Sequence, residues 1–512
     1  MGPRPGGGRA ALALGLILGL AACEGGPSGR VVEVDGFGGL AVADEPYAAT
    51  VGRDILGNGG TAADAAVAMY FTMAVTLPSR AGLGGGGVCI SFDQEAEEAL
   101  IIDFLPRVTP SGGVLPGNTR GLAVLHAQHG SQRWQYLLTR AENLARFGAN
   151  YSRAFVRDLQ AGLNKIRADR ETADILLHRG GALPKEGDRL EQFELSTVIT
   201  GIRSDGAGYF YTGAFAKRLA EAFTRAGAPT TADEIRGYTP RLAEAVTAPV
   251  GDHTAFFAPA PAYGGRAEAL MWRLLTEVRS YSGAESEERA GLLAAAAKAA
   301  FRNGSAAAGS GVFDEAELQQ LLAAYRPGAR HAGAEAPLAS EGASFVAADQ
   351  FGNAVACGFT MNGLFGSGQT APEVGILMAA ADPGAMGPVS PVLVANENTG
   401  EVYFAGAAAD GGAGVSALVT ILLEGVAGEE PLDQAMARGR LHAAGDGAVV
   451  WVEERLGQAE RAALSALGLQ PTPASRLGRV NALHCPRGLR RKPEECEAVT
   501  DPRGWGLARR AE

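Results

Sequence analysis

The segment Thr61–Met69, with the sequence TAADAAVAM, predicts a helix that has almost no polar face. Such a helix must be covered on nearly every side, since exposed apolar surface is unfavourable. The chain can supply this cover, because 46% of its 512 residues are hydrophobic and only 20% are charged. We therefore expect a layered fold with a large core, built as one sizeable domain or as two closely packed halves.

Helix and strand patterns surround this segment. Residues 44–57 predict a helix that ends at glycine, and the run Gly84–Gly87 leads into a predicted hairpin with strands at 88–92 and 99–104. A helical stretch then continues to about residue 325. Helices combined with paired strands indicate an α/β architecture.

Strand patterns return in the second half of the chain. Residues 326–341 are rich in Gly, Ala and Pro, which is typical of an exposed connection. Beyond it we predict strands at 343–348, 354–360, 391–396 and 402–405, a turn at 349–353 and a helix at 413–423. No internal repeat is evident in the sequence, which disfavours a solenoid or a propeller.

The first residues have the pattern of an export signal. Arg4 and Arg9 precede an apolar stretch at 10–20, and small residues follow. The stretch is short for a membrane span, and no other segment reaches about 18 uninterrupted apolar residues. The remainder of the protein is therefore expected to be soluble.

The end of the signal, Leu20-Ala21-Ala22-Cys23, resembles a bacterial lipobox. That resemblance implies that residues 1–22 are removed, that Cys23 carries lipid and that 23–36 is a linker. The protein would then be anchored to the membrane on the periplasmic side of the cell envelope. The alternative is an ordinary signal peptide with an incidental cysteine.

Export also sets the redox environment of four further cysteines. In an oxidising compartment Cys485 and Cys496 could form a local disulfide. Cys89 and Cys357 lie in apolar strand-like runs, where we expect two buried free thiols. The cysteines and histidines lack the paired spacing of a zinc site, so we expect no metal and no other cofactor.

The charge pattern argues against nucleic acid as a partner. The net charge is −11, and no basic run is interleaved with aromatic residues. The one dense basic cluster, Arg490–Lys492, is more simply explained as a solvated loop.

Four separated blocks of the sequence carry a resemblance to the gamma-glutamyltranspeptidase family. The blocks Asn58–Ala68, Pro78–Gly87, Pro259–Gly265 and Phe365–Gly368 resemble, in order, the family patterns GGNAVDAAVA, PHSSGIGGGG, PPPSSGG and FGSG. The resemblance extends from about Phe37 to Gly506. It implies an α/β (α+β) fold, the four-layer αββα sandwich of the N-terminal-nucleophile hydrolases. Residues 37–341 would be the large-subunit-like region and 342–512 the small-subunit-like region of one compact domain.

The segment that begins at Gly342 resembles the start of the family's small subunit, where a threonine acts as nucleophile. Glycine has no hydroxyl, so it can neither cleave the Glu341–Gly342 bond nor attack a substrate amide. Ser344 would face the same side of the strand as residue 342, but about 6–7 Å away. That displacement is large for a nucleophile aimed at an oxyanion hole, and Ser344 stays an alternative.

The substrate-binding positions implied by the resemblance are partly lost. Leu105 stands where the family has the arginine that binds the substrate carboxylate, and Arg107 is the nearest replacement. Of the groups that hold the substrate ammonium, only Asp382 remains. The family's paired serines fall at Gly387 and Pro388, and Ser390 matches the later serine.

Other implied site residues are present. Thr360 matches the threonine that supports the nucleophile, and Asn362 matches an asparagine that contacts substrate. Gly411 and Gly412 match the pair whose backbone N–H groups form the oxyanion hole.

The sequence therefore leaves three hypotheses. The first is an unprocessed homologue without gamma-glutamyl transfer activity that binds a small gamma-glutamyl or peptide-like ligand, or a partner protein. The second is an active gamma-glutamyl hydrolase or transferase that acts on glutathione or related amides through a substitute nucleophile such as Ser344. The third is a purely structural envelope lipoprotein.

Overall fold

The computed structural model describes residues 1–2, 36–278, 281–304, 341–381, 389–408, 410–444 and 447–512, without the side chains of 263 and 302–304. The predicted signal and lipidation site, nearly all of the linker and the connection up to residue 340 lie outside these ranges. Phe37–Glu512 forms one compact unit.

Two antiparallel sheets dominate this unit. The strands are β1 Gly39–Ala43, β2 Gly86–Asp93, β3 Glu98–Phe104, β4 Arg107–Val108, β5 Val114–Leu115, β6 Ala149–Asn150, β7 Arg189–Leu190, β8 Arg241–Ala243, β9 Val246–Val250, β10 His253–Phe257, β11 Gly342–Asp349, β12 Ala354–Thr360, β13 Thr370–Ala371, β14 Ile376–Leu377, β15 Ser390–Asn396, β16 Glu401–Ala408, β17 Leu441–His442, β18 Val449–Glu453, β19 Gln470–Ala474, β20 Val480–His484, β21 Glu497–Thr500 and β22 Leu507–Ala511. The larger sheet has the order β22-β1-β11-β12-β2-β3-β8, and the smaller has the order β21-β20-β16-β15-β10-β9. Both sheets therefore combine strands from before and after residue 341.

Helices connect and cover the strands. They are α1 Pro46–Gly57, α2 Ala62–Thr76, α3 Pro78–Ala81, α4 Asn118–His129, α5 Trp134–Phe147, α6 Arg153–Arg167, α7 Arg170–Leu176, α8 Phe193–Asp205, α9 Gly208–Tyr211, α10 Gly213–Arg225, α11 Ala232–Gly237, α12 Tyr263–Arg273, α13 Ser286–Gly304, α14 Gly411–Ile421, α15 Leu432–Ala437 and α16 Gln458–Ala466. Segments Leu274–Val278 and Leu422–Ala427 are π-helical, and Pro493–Glu495 is a 3₁₀ turn. None of the helices in the described ranges is long and apolar enough to cross a membrane.

Three apolar cores separate the layers. One lies between the larger sheet and helices that include α2, α5 and α8, and a second lies between the smaller sheet and α12, α13 and α14. The third lies between the two sheets. Strand β11 is covered on both faces. Phe345 belongs to the first core, whereas Val346 and Ala348 belong to the third. The layers therefore run helix, sheet, sheet, helix.

Helix α2 is the apolar helix that the sequence predicts. All of its fifteen residues are buried, and it continues past Met69 to Thr76. Thr61 and Asp64 form a capping box at its start, which satisfies two backbone N–H groups that have no partner within the helix. The capped start and the complete burial explain why this stretch is a central element of the fold.

The predicted pairings of the strands are largely confirmed. β2 and β3 form the hairpin, and β11 and β12 pair across the turn at 349–353. Two helices begin at other residues than predicted, since α1 begins at Pro46 and α14 begins at Gly411. The start of α14 was missed because a glycine pair is an unusual way to begin a helix. The prediction of a helical stretch up to about residue 325 was wrong in part, because strands β8, β9 and β10 lie within it.

The prediction of free thiols at Cys89 and Cys357 was wrong, because the structure joins them in a disulfide. The two residues face each other directly across β2 and β12. Strand register, which brings together residues 268 positions apart, is not contained in either local pattern. The predicted disulfide between Cys485 and Cys496 is confirmed.

Candidate functional site

Three chain segments meet at the start of β11. Gly342 is the first residue of that strand and pairs with Thr360 at the end of β12. The preceding residue, Glu341, forms an isolated antiparallel bridge with Asp410. Asp410 in turn directly precedes Gly411, where α14 begins. The structure therefore brings the predicted nucleophile position, its supporting threonine and the glycine pair into one neighbourhood.

Ser344 lies two residues along β11 from Gly342, with its side chain fully buried. Its hydroxyl donates to the carbonyl of Ala407 in the smaller sheet at 3.1 Å and accepts from Asn481 Nδ2 at 2.9 Å. Its backbone N–H donates to Asp44 at 2.9 Å. These bonds tie the two sheets together and engage the hydroxyl proton that a nucleophile would have to release.

Two arginines bind the backbone carbonyl of Gly342. Arg80 Nη1 donates to this oxygen at 3.3 Å and Arg479 Nη2 donates at 3.2 Å. The adjacent carboxylate of Glu341 lies 2.6 Å from Arg80 Nη2 and 3.1 Å from Arg476 Nη2. Guanidinium groups therefore bind the Glu341 side chain and the Gly342 carbonyl, which belongs to the Gly342–Ala343 peptide.

Two further carboxylates complete the pairing. Asp158 accepts from Ser79 Oγ at 2.6 Å and is bound by two nitrogens of Arg80. Asp410 is bound by Nε and Nη2 of Arg479. We call this set the ionic cluster: Arg80, Arg476, Arg479, Asp158, Glu341 and Asp410.

In the ionic cluster, burial and the charges of neighbouring groups together determine the pKa values of Arg80 and Asp410. The Arg80 and Arg479 side chains are only 2% and 3% exposed. Burial disfavours the charged form of Arg80, but Asp158, Glu341 and Asp410 together outweigh it and raise the pKa of this arginine. Burial and the neighbouring Glu341 raise the pKa of Asp410, while Arg476 and Arg80 act against that rise. The cluster thus contains three guanidinium groups and three carboxyl groups.

The ionic cluster was not predicted from the sequence. A signal existed at Arg80, which stands in the block Pro78–Gly87 where the family pattern quoted above has a serine. Its partner Asp158 is 78 positions away, and Arg479 is 69 positions from Asp410. Pairing over such distances depends on the fold and not on local spacing.

The glycine pair lies at the N-terminus of α14. Gly411 has φ 66°, a conformation that favours glycine. A Cβ atom at Gly412 would lie 2.9 Å from Cε1 of His442, so the packing also requires glycine there. His442 is fully buried behind this helix start, where its Nδ1 lies 2.9 Å from Ser416 Oγ, and burial lowers its pKa to about 4. The helix start thus rests on a neutral imidazole.

The other predicted site residues have varied surroundings. Thr360 Oγ1 accepts the N–H of Asn362 at 2.9 Å, and Asn362 Nδ2 donates to Ala380 O at 2.9 Å. Within the described residues, Asn362 Oδ1 and Ser390 Oγ are buried without a hydrogen-bond partner. Asp382 lies outside the described residues. Buried polar atoms of this kind are uncommon and are often explained by a bound molecule or water.

A buried carboxyl group lies near Ser390. Glu268 on α12 is fully buried, and neither of its oxygens has a hydrogen-bond partner in the described ranges. Burial raises the pKa of Glu268 well above its ordinary value, and the nearby Ser390 hydroxyl opposes this only in part. Burial therefore favours the protonated form of Glu268 over the carboxylate.

Leu105, at which the resemblance places the family's carboxylate-binding arginine, is part of the core. Leu105 is 2% exposed and packs between the two sheets. Arg107, the suggested replacement, donates to the carbonyl of Thr239 at 2.8 Å and lies over the ring of Tyr238. Neither residue offers a guanidinium group at the position of Leu105.

A cleft of about 730 Å³ lies beside the ionic cluster. Its lining includes Glu341 and Asp410 from that cluster, together with Trp451 and Trp505. In the described part of the chain, no group of three or more His, Cys, Asp or Glu side chains is placed to hold a metal ion.

A family profile described as Gamma-glutamyltranspeptidase matches residues 48–112 and 106–381. The chain belongs to the gamma-glutamyltranspeptidase family. Its relatives include the glutathione hydrolase proenzyme of Bacillus subtilis strain 168, which is 27% identical over 401 residues, 67% of this chain and 68% of that protein. The Escherichia coli K12 glutathione hydrolase proenzyme is 26% identical over 382 residues, 66% of this chain and 65% of that protein.

Among solved structures, the cephalosporin acylase from Bacillus halodurans superimposes with a TM-score of 0.78. The match covers 93% of this gamma-glutamyltranspeptidase-family chain and 96% of the acylase, at 18% sequence identity. At this identity the similarity establishes an α/β fold shared with that group of structures and carries no statement about activity.

Proposed function

We propose that this protein is a gamma-glutamyltranspeptidase-family member that remains one chain at Glu341–Gly342, has no gamma-glutamyl transfer activity and binds a small peptide-like or amino-acid-like ligand. Its four-layer αββα sandwich would be the scaffold of an N-terminal-nucleophile hydrolase used for binding. In this proposal Gly342 occupies the place of the family's nucleophilic threonine.

The observation that carries the proposal is the chemistry at the start of β11. Residue 342 has no hydroxyl, and the hydroxyl of Ser344 already donates to a carbonyl of the opposite sheet. A nucleophile needs a group in reach that can accept its proton. The side chains that bind the Gly342 carbonyl are the guanidinium groups of Arg80 and Arg479, which cannot accept one.

Two features of the site support the ligand-binding part of the proposal, and neither needs a catalytic nucleophile. Gly411 and Gly412 still begin a helix next to residue 342, and the start of a helix presents N–H groups that favour an anion. The buried oxygens of Asn362 and Ser390 also lack partners among the described residues.

The test is intact-mass measurement of the purified mature protein together with hydrolysis of a gamma-glutamyl anilide. We expect a single full-length chain and no turnover above that of a Ser344→Ala control. Two fragments meeting near residue 342 would overturn the proposal, and activity that Ser344→Ala abolishes would establish the alternative hydrolase with Ser344 as its nucleophile.

We further propose that Cys23 carries lipid and anchors the protein on the periplasmic side of a bacterial envelope. The support is the sequence Leu20-Ala21-Ala22-Cys23 after an apolar stretch. Metabolic labelling with a radioactive fatty acid should label the protein and leave Cys23→Ser unlabelled. Equal labelling of the two proteins would contradict the anchor.

A further inference from the structure

The cleft beside the ionic cluster is built from distant parts of the chain. Arg157 comes from α6, Trp451 from β18, Arg476 from the loop after β19, and Trp505 from the segment before β22. Its volume of about 730 Å³ is typical of clefts that bind small organic molecules. Two aromatic walls and several guanidinium groups define its chemistry.

Three carboxylates that line the cleft are already paired with arginines. Glu341 and Asp410 belong to the ionic cluster, where three arginines match three carboxylates. Glu453 is bound by Arg503 through two nitrogens. An anion that enters the cleft would therefore meet little net repulsion from these groups.

The remaining charges of the lining favour an anion. Within the ranges described, Arg157 and Arg455 have no carboxylate partner, and Glu454 has no cationic one. Two arginines against one glutamate leave a surplus positive charge in a protein whose overall net charge is −11.

Arg157 is held in a position suited to binding. Its guanidinium carbon lies over the Trp505 ring, 5.5 Å from the centroid, within range of a cation–π interaction. This interaction does not use the hydrogen-bonding capacity of the guanidinium N–H groups. Those N–H groups form a fork that matches a carboxylate with two parallel hydrogen bonds.

We propose that this cleft binds a small organic carboxylate that carries an aromatic ring. Arg157 and Arg455 take the carboxylate, and Trp451 and Trp505 contact the ring. This inference rests on the proposed binding function and specifies its ligand chemistry. The same chemistry is offered by a free aromatic acid and by the C-terminal phenylalanine of a short peptide.

The first experiment is a titration of the purified full chain, followed by tryptophan fluorescence, since two of its four tryptophans line the cleft. The probes are N-benzoylglycine, its uncharged amide, and benzylamine as the cation. We expect saturable quenching by N-benzoylglycine, binding of the amide at least about tenfold weaker because a charge-assisted hydrogen bond is lost, and none by benzylamine. A parallel titration with Ala-Ala-Phe separates peptides from free acids.

Two matched variants locate the site. Arg157→Gln should weaken binding of N-benzoylglycine about tenfold or more. Arg170→Gln, which changes an exposed arginine outside the cleft, should leave binding unchanged. The melting temperature of each variant shows whether the protein is folded. A folded Arg157→Gln variant with unchanged affinity would overturn the proposal.

The titration can also reject the inference directly. Equal affinity for N-benzoylglycine and its amide, or no saturable quenching by either N-benzoylglycine or Ala-Ala-Phe, would overturn the ligand assignment. The mass and turnover measurements described above do not depend on this result. Failure of the cleft proposal and failure of the proposed function are therefore distinguishable.

Discussion

The ionic cluster and the outer part of the cleft contain the same kinds of side chain in opposite states. Arg80 and Arg479 in the cluster are buried and paired with carboxylates, whereas Arg157 and Arg455 in the cleft have no carboxylate partner in the described structure. Breaking a buried pair leaves an uncompensated charge, while an exposed arginine contributes little to stability. The cluster should therefore determine stability, and the cleft should determine binding.

The largest expected effect comes from breaking the ionic cluster. Arg80→Ala leaves Asp158 and part of the charge of Glu341 unpaired, and should lower the free energy of unfolding by about 3–5 kcal/mol. The measurement is urea denaturation followed by circular dichroism. Arg170→Ala removes an exposed arginine that lies 3.5 Å from Asp174, and it should change stability by no more than about 0.5 kcal/mol. Similar effects of the two substitutions would remove the distinction between cluster and surface.

The next largest effect is a loss of stability at acidic pH through His442, which is buried behind the start of α14. The pKa of His442 is lowered from 6.5 to about 4 by burial, so below pH 6.5 the unfolded chain binds a proton that the folded chain does not. Stability should fall as the pH drops from 6.5 to 4, by about 3 kcal/mol for this residue, and this contribution should not change further below pH 4.

His442→Gln tests this contribution, because glutamine can still hydrogen-bond Ser416 and does not titrate. The loss of stability between pH 6.5 and 4 should become smaller in the variant. It should not vanish, since burial also lowers the pKa of His484 to about 4. An unchanged pH dependence would mean that acid acts through other groups, such as the carboxylates of the ionic cluster.

The third effect is on binding alone. Glu454 is the one carboxylate of the cleft lining without a cationic partner among the described residues, so Glu454→Gln should strengthen N-benzoylglycine binding about two- to fivefold and leave stability nearly unchanged. Fluorescence titration measures the first quantity and thermal melting the second. Glu95→Gln, an exposed change outside the cleft, is the control. Weaker binding by the Glu454 variant would contradict the assignment of an anionic ligand.

Much of the fold was predictable, because it is encoded in local patterns. The uniformly apolar segment that became α2 and the hairpin of β2 and β3 required only periodicity and glycine positions. The blocks Asn58–Ala68 and Pro78–Gly87 indicated the family to which the chain belongs. These features involve residues that are close in sequence.

The site was less predictable, because it depends on register and long-range pairing. The Cys89–Cys357 disulfide and the Arg80–Asp158 pair join residues that are 268 and 78 positions apart. Gly342, Thr360 and Gly411 lie in one neighbourhood of the structure, and the sequence linked them only through the resemblance to the family. Apart from Arg80 in the block Pro78–Gly87, the sequence contained no indication that guanidinium groups would bind the Gly342 carbonyl.

The smallest expected effect is that of restoring a hydroxyl at residue 342. In self-cleavage the hydroxyl would attack the carbonyl carbon of Glu341, whose oxygen would then need hydrogen-bond donors. Arg80 and Arg479 donate instead to the carbonyl of Gly342, one peptide further along the chain. We therefore expect Gly342→Thr to remain a single chain by intact mass and to hydrolyse no gamma-glutamyl anilide.

Gly342→Ala is the matched control, since it adds a Cβ without a hydroxyl. Gly342 is buried, so the added side-chain atoms should lower the free energy of unfolding by about 1–3 kcal/mol, and thermal melting shows whether each variant is folded. Cleavage of Gly342→Thr alone would show that the missing hydroxyl is the only barrier to processing. The arginines that bind the Gly342 carbonyl would then be compatible with catalysis, and the contrast between a structural cluster and a binding cleft would no longer hold at residue 342.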